Sequence, residues 1–261
     1  MKRVRTASVA LLGLAAVTVG TIAVAPPAGA AKKPTTITVL VTNDDGVSAP
    51  GIDALVQALR TSKNTKVVVV APATNQSGSG GKTTPGTLTT QPATTASGYQ
   101  ATAVQGYPAD TVTAALDQLG VKPNVVMSGI NPGQNVGSLT GLSGTIGAAK
   151  MAATRGIPAV AFSQSGDAPQ FDATGKLALA WLAQHRAALA KKPKAAPTTI
   201  DNYNVPICPS GKPRGVLKVQ TASDATNAVA GVDCSATGPK PTTDIEAFNE
   251  GYAALATVPA T

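Results

Sequence analysis

The most constraining stretch of the chain is Thr35-Thr36-Ile37-Thr38-Val39-Leu40-Val41-Thr42-Asn43-Asp44-Asp45-Gly46, an apolar, β-branched run that ends on two adjacent carboxylates and a glycine. Such a run reads as a buried strand of an α/β sheet closing in a turn. Open parallel sheets bind ligands outside the carboxyl ends of their strands, where Asn43, Asp44 and Asp45 fall. Neighbouring side chains of a straight strand face opposite ways, so both aspartates reach one ligand only if the backbone turns at them, and Gly46 permits that turn. Paired carboxylates repel each other, and a hard divalent cation with oxygen ligands relieves the repulsion. A solvated Asx turn accounts for the same residue types, since Asn, Asp and Gly dominate turns.

Ile52, Leu55, Val56 and Leu59 recur at helical spacing after Pro50-Gly51, and Lys66 to Ala71 is a second buried strand. Strand, helix, strand is a right-handed βαβ unit, so the class is α/β. A helix is expected from Gly106-Tyr107-Pro108-Ala109-Asp110 to about Leu119, burying Val112, Ala115, Leu116 and Leu119. Strands follow at Asn124–Ser128 and Ala159–Ser163, and a long helix over Phe171–Ala190 carries Leu177, Trp181 and Leu189. Pro- and Thr-rich segments with short β-like pieces such as Gly215–Val219 suggest a C-terminal β-hairpin extension, while Thr243–Tyr252 shows no placeable period. The segment Pro72–Gly98 is too polar for a core and too long for an ordinary connection, so it reads as a functional loop or flap. Its Gly81-Lys82-Thr83 imitates the end of a P-loop, but position 76 is Gln where a glycine is needed and Thr84-Pro85-Gly86 prevents the following helix.

Lys2, Arg3 and Arg5 precede an apolar stretch from Val9 to Val24, and Ala28-Gly29-Ala30 has the small-x-small form of a signal-peptidase site. Residues 1–30 therefore read as a cleaved Sec-type signal peptide, residues 31–261 as one secreted domain, with no stable membrane span after leader removal. The formal charge of +8 drops by the three charges of that leader. Aromatics are only 3% of the chain and no basic stripe interleaves with them, which disfavours binding to a nucleic-acid polymer. Cys208 and Cys234 read as one structural disulfide of an exported chain, contributing on the order of 3 kcal/mol. The lone His185 reads as a surface helical residue, and Lys191-Lys192-Pro193-Lys194 as a solvated helix exit.

Three strand exits offer oxygen ligands and anion donors: Asn43-Asp44-Asp45, Gln76-Ser77-Gly78, and Ser128-Gly129-Ile130-Asn131 with its glycine-rich continuation to Gly137. Ser143-Gly144-Thr145 opens a helix to about Thr154, and such an N-terminus suits phosphate through its free amides and dipole, or is simply N-capped by Ser143. Together they describe a cation held by carboxylates and neutral oxygens beside a docked phosphate.

This ordered set resembles the SurE family of metal-dependent nucleotide phosphatases. The blocks that carry the likeness are Asn43-Asp44-Asp45-Gly46 with Ala49-Pro50-Gly51-Ile52, Ala71-Pro72 with Gln76-Ser77-Gly78, Gly106-Tyr107-Pro108-Ala109-Asp110, Ser128-Gly129-Ile130-Asn131 with Gly133 and Asn135, Ser143-Gly144-Thr145, and Gly156-Ile157-Pro158-Ala159. The resemblance implies a Rossmann-like three-layer sandwich with a mostly parallel sheet. It implies a divalent cation (Mg, Mn or Ca) on Asp44, Asp45, Ser77 and Asn131, catalysis by Asp44, Asp45 and Asn43, and a phosphate pocket shaped by Gly129, Asn135, Ser143, Gly144 and Thr145. It further implies hydrolysis of nucleoside 5′- and 3′-monophosphates by a homodimer or tetramer. The chain departs from the family pattern at Ser138-Leu139, where an acidic pair is common, at Leu142, where tyrosine is common, and at about Met151, where glutamate is usual. A non-catalytic secreted phosphate- or nucleotide-binding module on the same fold is the alternative those departures motivate. Aspartyl-phosphate chemistry lacks its Asp-x-Asp spacing, and one histidine cannot run a histidine-phosphatase mechanism.

Overall fold

Thr42, the last residue of the first strand, stands in register with Ser128 on the strand beside it, and this pairing sets where the chain's polar loops gather. A computed structural model describes residue 1 and residues 35–165, 170–191 and 195–261. The expected leader, and Lys192 to Lys194 of the basic run, lie outside the described residues. In chain order the elements are β1 (Ile37–Thr42), α1 (Pro50–Arg60), β2 (Thr65–Pro72), β3 (Thr89–Thr94), β4 (Gln100–Gln105), α2 (Pro108–Thr113), β5 (Val125–Pro132), α3 (Gly144–Thr154), β6 (Ala159–Gln164), α4 (Asp172–Leu189), β7 (Thr199–Val205), β8 (Val216–Lys218), α5 (Asp244–Asn249) and β9 (Ala253–Pro259).

These strands make one sheet in the order β3-β4-β2-β1-β5-β6-β7-β9-β8. From β4 through β7 every neighbour is parallel, while β3 runs antiparallel to β4 and β9 antiparallel to β7. A central parallel strand is covered on both faces, which explains the unbroken apolar run of β1. Val39 and Val41 face one layer with Ile52, Leu55 and Leu59 of α1 and Trp181 and Leu182 of α4. Leu40 faces the other, with Val112 of α2 and Ile146, Ala149 and Ala152 of α3. The result is an α/β three-layer sandwich with a mostly parallel sheet, as expected. In α1, Pro50 sits in the first turn with Asp53, and Arg60 closes the last turn, each charge on the favourable end of the helix dipole.

Four local expectations are corrected. After Thr113 the α2 helix widens into a π-turn over Ala114–Gln118, which rotates the following residue off the buried face, so Leu119 is 41% exposed. The second half of the expected flap is strand: β3 pairs with β4 from Thr89↔Gln105 to Thr94↔Gln100. It is an edge strand, where Pro92 is tolerated. The C-terminal extension is not a local hairpin: β7 pairs antiparallel with the distant β9, and β8 joins β9 in parallel. Finally, His185 is half-buried, its ring stacked on Trp181 at 4.1 Å. The unplaced tail forms α5 through a capping box, with Thr243 Oγ1 accepting from the Glu246 amide at 3.3 Å and the Glu246 carboxylate accepting from the Thr243 amide at 3.1 Å.

No helix among the described residues is long and apolar enough to cross a membrane. Cys208 and Cys234 are bonded across a separation of 26 residues, tying the exit of β7 to the segment before α5. Closing a loop of that length restricts the unfolded chain, so reduction is expected to lower unfolding free energy by about 3 kcal/mol. Urea denaturation with and without reductant checks this, and coincident transitions would sink it.

Candidate active site at the β1–β5 crevice

From β1 the chain builds outward through β2 and β4, then returns to place β5, β6 and β7 on the other side. The strand order therefore reverses between β1 and β5, and the crevice beyond their carboxyl ends is the position where such sheets take ligands. Asn43, Asp44 and Asp45 leave β1 there, and Gly129 to Asn131 continue β5 past it.

The turn at the end of β1 is closed by the Asn43 side chain, whose Nδ2 donates to the Gly46 carbonyl at 2.9 Å. It is not solvated. Asn43 is fully buried, Asp44 is 3% exposed, and Asp45 is half-buried. The Thr145 hydroxyl donates to Asp44 Oδ1 at 2.6 Å. Burial pushes the Asp44 carboxyl above the ordinary range, and that hydroxyl with the Gly144 and Thr145 amides holds it partly back. Burial, and then the neighbouring Asp44 charge, push Asp45 up to about 7. The first turn of α3 thus already serves an anion, namely Asp44 itself. Ser143 is its N-cap, accepting from the Ile146 amide at 3.2 Å.

Gly144 lies where three parts of the chain meet: a Cβ there would stand 2.7 Å from Asp44 Cβ, 2.9 Å from Pro108 Cγ and 3.0 Å from Ser79 Oγ. Only glycine allows that approach. Gly129 is equally constrained, with φ at +139° and the Phe162 carbonyl in the space a Cβ would fill.

The loop after β2 is pinned at both ends. The Gln76 amide donates to the Asp44 carbonyl at 2.7 Å, and the Gly80 amide to the Leu142 carbonyl at 2.9 Å. Within it Ser77 is exposed, its amide bonded to Asn75 Oδ1 at 2.8 Å. Ser79, absent from the expected ligand set, is buried. Nothing but its position two residues past Ser77 marks it in the sequence. Asn131 is half-buried, and its Nδ2 donates to the Gly133 carbonyl at 2.7 Å, which turns the side chain along its own loop.

Asn135 is engaged on several sides. Its amide donates to Asn204 Oδ1 at 2.6 Å and its Nδ2 to Ser163 Oγ at 2.8 Å, while its carbonyl accepts from Asn202 and Asn204. It thereby anchors the β5 exit over β6 and β7. Asn202 and Asn204, both fully buried, are supports of this loop that the expected set lacks, although two asparagines at alternate positions of one strand are a visible signal. Farther along, the buried Asp244 carboxylate accepts from the Gly137 amide at 3.0 Å and the Ala222 amide at 2.9 Å. Leu139, in the departed acidic pair, packs on Val136, Ala228 and Ile245, whereas Leu142 is 63% exposed.

A cation fits the crevice. Among the described residues no group of three or more His, Cys, Asp or Glu could hold one. A metal here would therefore take two carboxylates plus neutral oxygens, a donor set suited to a hard divalent ion. Asp45 Oδ2 and Asn43 Oδ1 are buried without hydrogen-bond partners among the described residues, and so are Ser79 Oγ and Ser128 Oγ. Cys208 and Arg214 have the Cys-x5-Arg spacing of another phosphatase type, but Cys208 is locked in the disulfide and Arg214 donates to the Ala236 carbonyl and covers the Tyr252 ring. No thiolate is available there.

Residues 39–228 match the family model described as Survival protein SurE. The chain is similar to the 5′-nucleotidase SurE of Halobacterium salinarum, 45% identical over 134 residues that cover 51% of this chain and 49% of that protein. It is similar to the 5′-nucleotidase SurE of Desulfatibacillum aliphaticivorans, 46% identical over 129 residues that cover 49% and 50%. The chain thus spans about half the length of these curated relatives. The crystal structure of the SurE protein from Aquifex aeolicus superposes with a TM-score of 0.68 at 27% identity, covering 86% of this chain and 94% of that one. With most of the described fold inside the family model, and that structure repeating the sheet and its layers, the chain belongs to the SurE family.

Proposed function

We propose that this protein is a secreted, metal-dependent phosphomonoesterase that releases phosphate from nucleoside 5′- and 3′-monophosphates. The observation that carries the reading is the buried carboxylate pair at the strand-order reversal, repelling and partly unpartnered, against the first turn of α3. The 5′-nucleotidase names of relatives matched over half their length support the substrate class. Asp44, Asp45, Ser77 and Asn131 would hold the cation, Mg, Mn or Ca. A bound divalent ion supplies Lewis acidity and charge neutralisation at a phosphoryl group. Asp44 is held in one orientation by Thr145, while Asp45, whose Oδ2 has no hydrogen-bond partner among the described residues, would take the proton of the attacking water as its oxygen bonds phosphorus and the ester P–O bond breaks, that proton then passing to the departing alcohol oxygen. Asn43 fixes the turn that presents both carboxylates. Gly129, Asn135, Ser143, Gly144 and Thr145 shape the phosphate pocket. The protein works as a homodimer or tetramer, on small phosphoesters rather than nucleic-acid polymers.

Export rests on the leader of residues 1–30, and an exported member of this family would recover phosphate from extracellular nucleotides. N-terminal sequencing of protein from the culture medium is expected to begin at Ala31; an intact Met1 there would refute cleavage. For the chemistry, p-nitrophenyl phosphate and AMP are assayed with Mn or Mg against Asp44→Ala. The wild type is expected to release phosphate and the variant to lose more than about 100-fold. Equal release by both overturns the mechanism, and nucleotide binding without release by either supports the non-catalytic module.

The Asp45 pKa gives a third expectation. Its folded value of about 7 lies above 3.8, so the folded state binds this proton more tightly than the unfolded chain. In the metal-free protein the resulting stabilisation is complete below about pH 4 and is lost as pH rises through about 7. Mg or Mn, replacing that proton, should raise the thermal midpoint more at pH 8 than at pH 5 in fluorimetric melts. An equal rise at both pH values would contradict a cation on these carboxylates.

A further inference from the structure

We infer that the Ser79 hydroxyl is a phosphoryl-binding group, donating to a non-bridging phosphate oxygen at the first turn of α3. This rests on the phosphatase reading above. Ser79 is 7% exposed, and its Oγ is buried with no hydrogen-bond partner among the described residues. It is aimed at the helix start, 3.0 Å from where a Cβ on Gly144 would stand, beside Asp44 Cβ.

The other donors of that turn face Asp44 or the Ser143 cap. Thr145 Oγ1 donates to Asp44, the Ile146 amide to Ser143 Oγ, and the Gly144 and Thr145 amides lie beside the Asp44 carboxylate. The positive end of an 11-residue helix still attracts an anion, but a phosphate arriving there needs a donor that is free. Ser79 offers one. A buried hydroxyl without a partner costs the folded state stability, a cost recovered only when an acceptor arrives. The pinned loop keeps the group in place, since the Gln76 and Gly80 amides bind on either side of it. Ser77, two residues away, stays exposed and belongs to the cation side of the site.

The test compares wild type, Ser79→Ala, Ser79→Cys and Ser77→Ala, each as the Mn-loaded chain from residue 31. Calorimetry measures inorganic phosphate and Mn affinity, p-nitrophenyl phosphate gives KM and kcat, and melts give the thermal midpoint. In both Ser79 variants, phosphate Kd and KM are expected to rise about 10-fold. Mn affinity should stay within twofold of wild type and the Ser79→Ala midpoint should be equal or higher, because the orphan hydroxyl is gone. Ser77→Ala should weaken Mn instead. Phosphate binding within twofold of wild type in Ser79→Ala overturns the inference, and so does a fall in Mn affinity and midpoint together, which marks a structural serine. A wild type that neither binds nor releases phosphate removes the phosphatase reading and this one with it, an outcome visible before any variant is compared.

Discussion

The hydrogen bond from Thr145 to Asp44 joins the two ends of the site, because it couples the exit of the central strand to the start of the helix across the crevice. A buried carboxylate is costly unless its oxygens are bonded. Asp44 meets that demand with the hydroxyl and amides of α3, which forces the helix to begin within contact distance of β1. Glycine at position 144 makes the distance attainable. Asp45 has no comparable support, and its raised pKa is the sign of a charge that the protein alone leaves uncompensated.

The core of this arrangement was legible in the sequence wherever a side-chain period or a turn residue encodes structure locally. The apolar run of β1, the 3.6-residue spacing of Ile52, Leu55, Val56 and Leu59, and the Ser-Gly-Thr helix start each correspond to an element with nearly the expected bounds. The strand β3 was not legible, because an edge strand with both faces near solvent needs no apolar alternation, and Thr-Thr-Gln-Pro-Ala-Thr has none. The pairing of β7 with β9 joins residues far apart in sequence, which no local pattern reports. The α5 helix went unplaced, because six residues are too few to show a helical period, and the capping box of Thr243 and Glu246 was the one signal that could have found it. In the site, the carboxylates and Thr145 stand together, whereas which of Ser77 and Ser79 faces inward depends on the handedness of a turn that composition does not specify.

The departures from the family pattern have local physical accounts. Leu139 stands where an acidic residue is common, and here it packs into a small apolar cluster with Val136, Ala228 and Ile245. The Ser138 amide beside it donates to the Asp224 carbonyl at 3.0 Å, and the Asp244 carboxylate holds the Gly137 amide. The loop that leads into α3 is thus shaped by packing and backbone bonds from the C-terminal third of the chain. The exposed Leu142 has no such account.

The asparagine cluster over β6 and β7 has a mechanical consequence. Asn202 and Asn204 grip the backbone of Asn135 from β7, and β7 is bordered on its outer side only by β9. Without the last seven-residue strand, β7 would become a sheet edge with unpaired amides, and the grip on the crevice loop would rest on a frayed support. Residues of β9 therefore brace the crevice loop at Asn135 from a distance, through the strand they pair with.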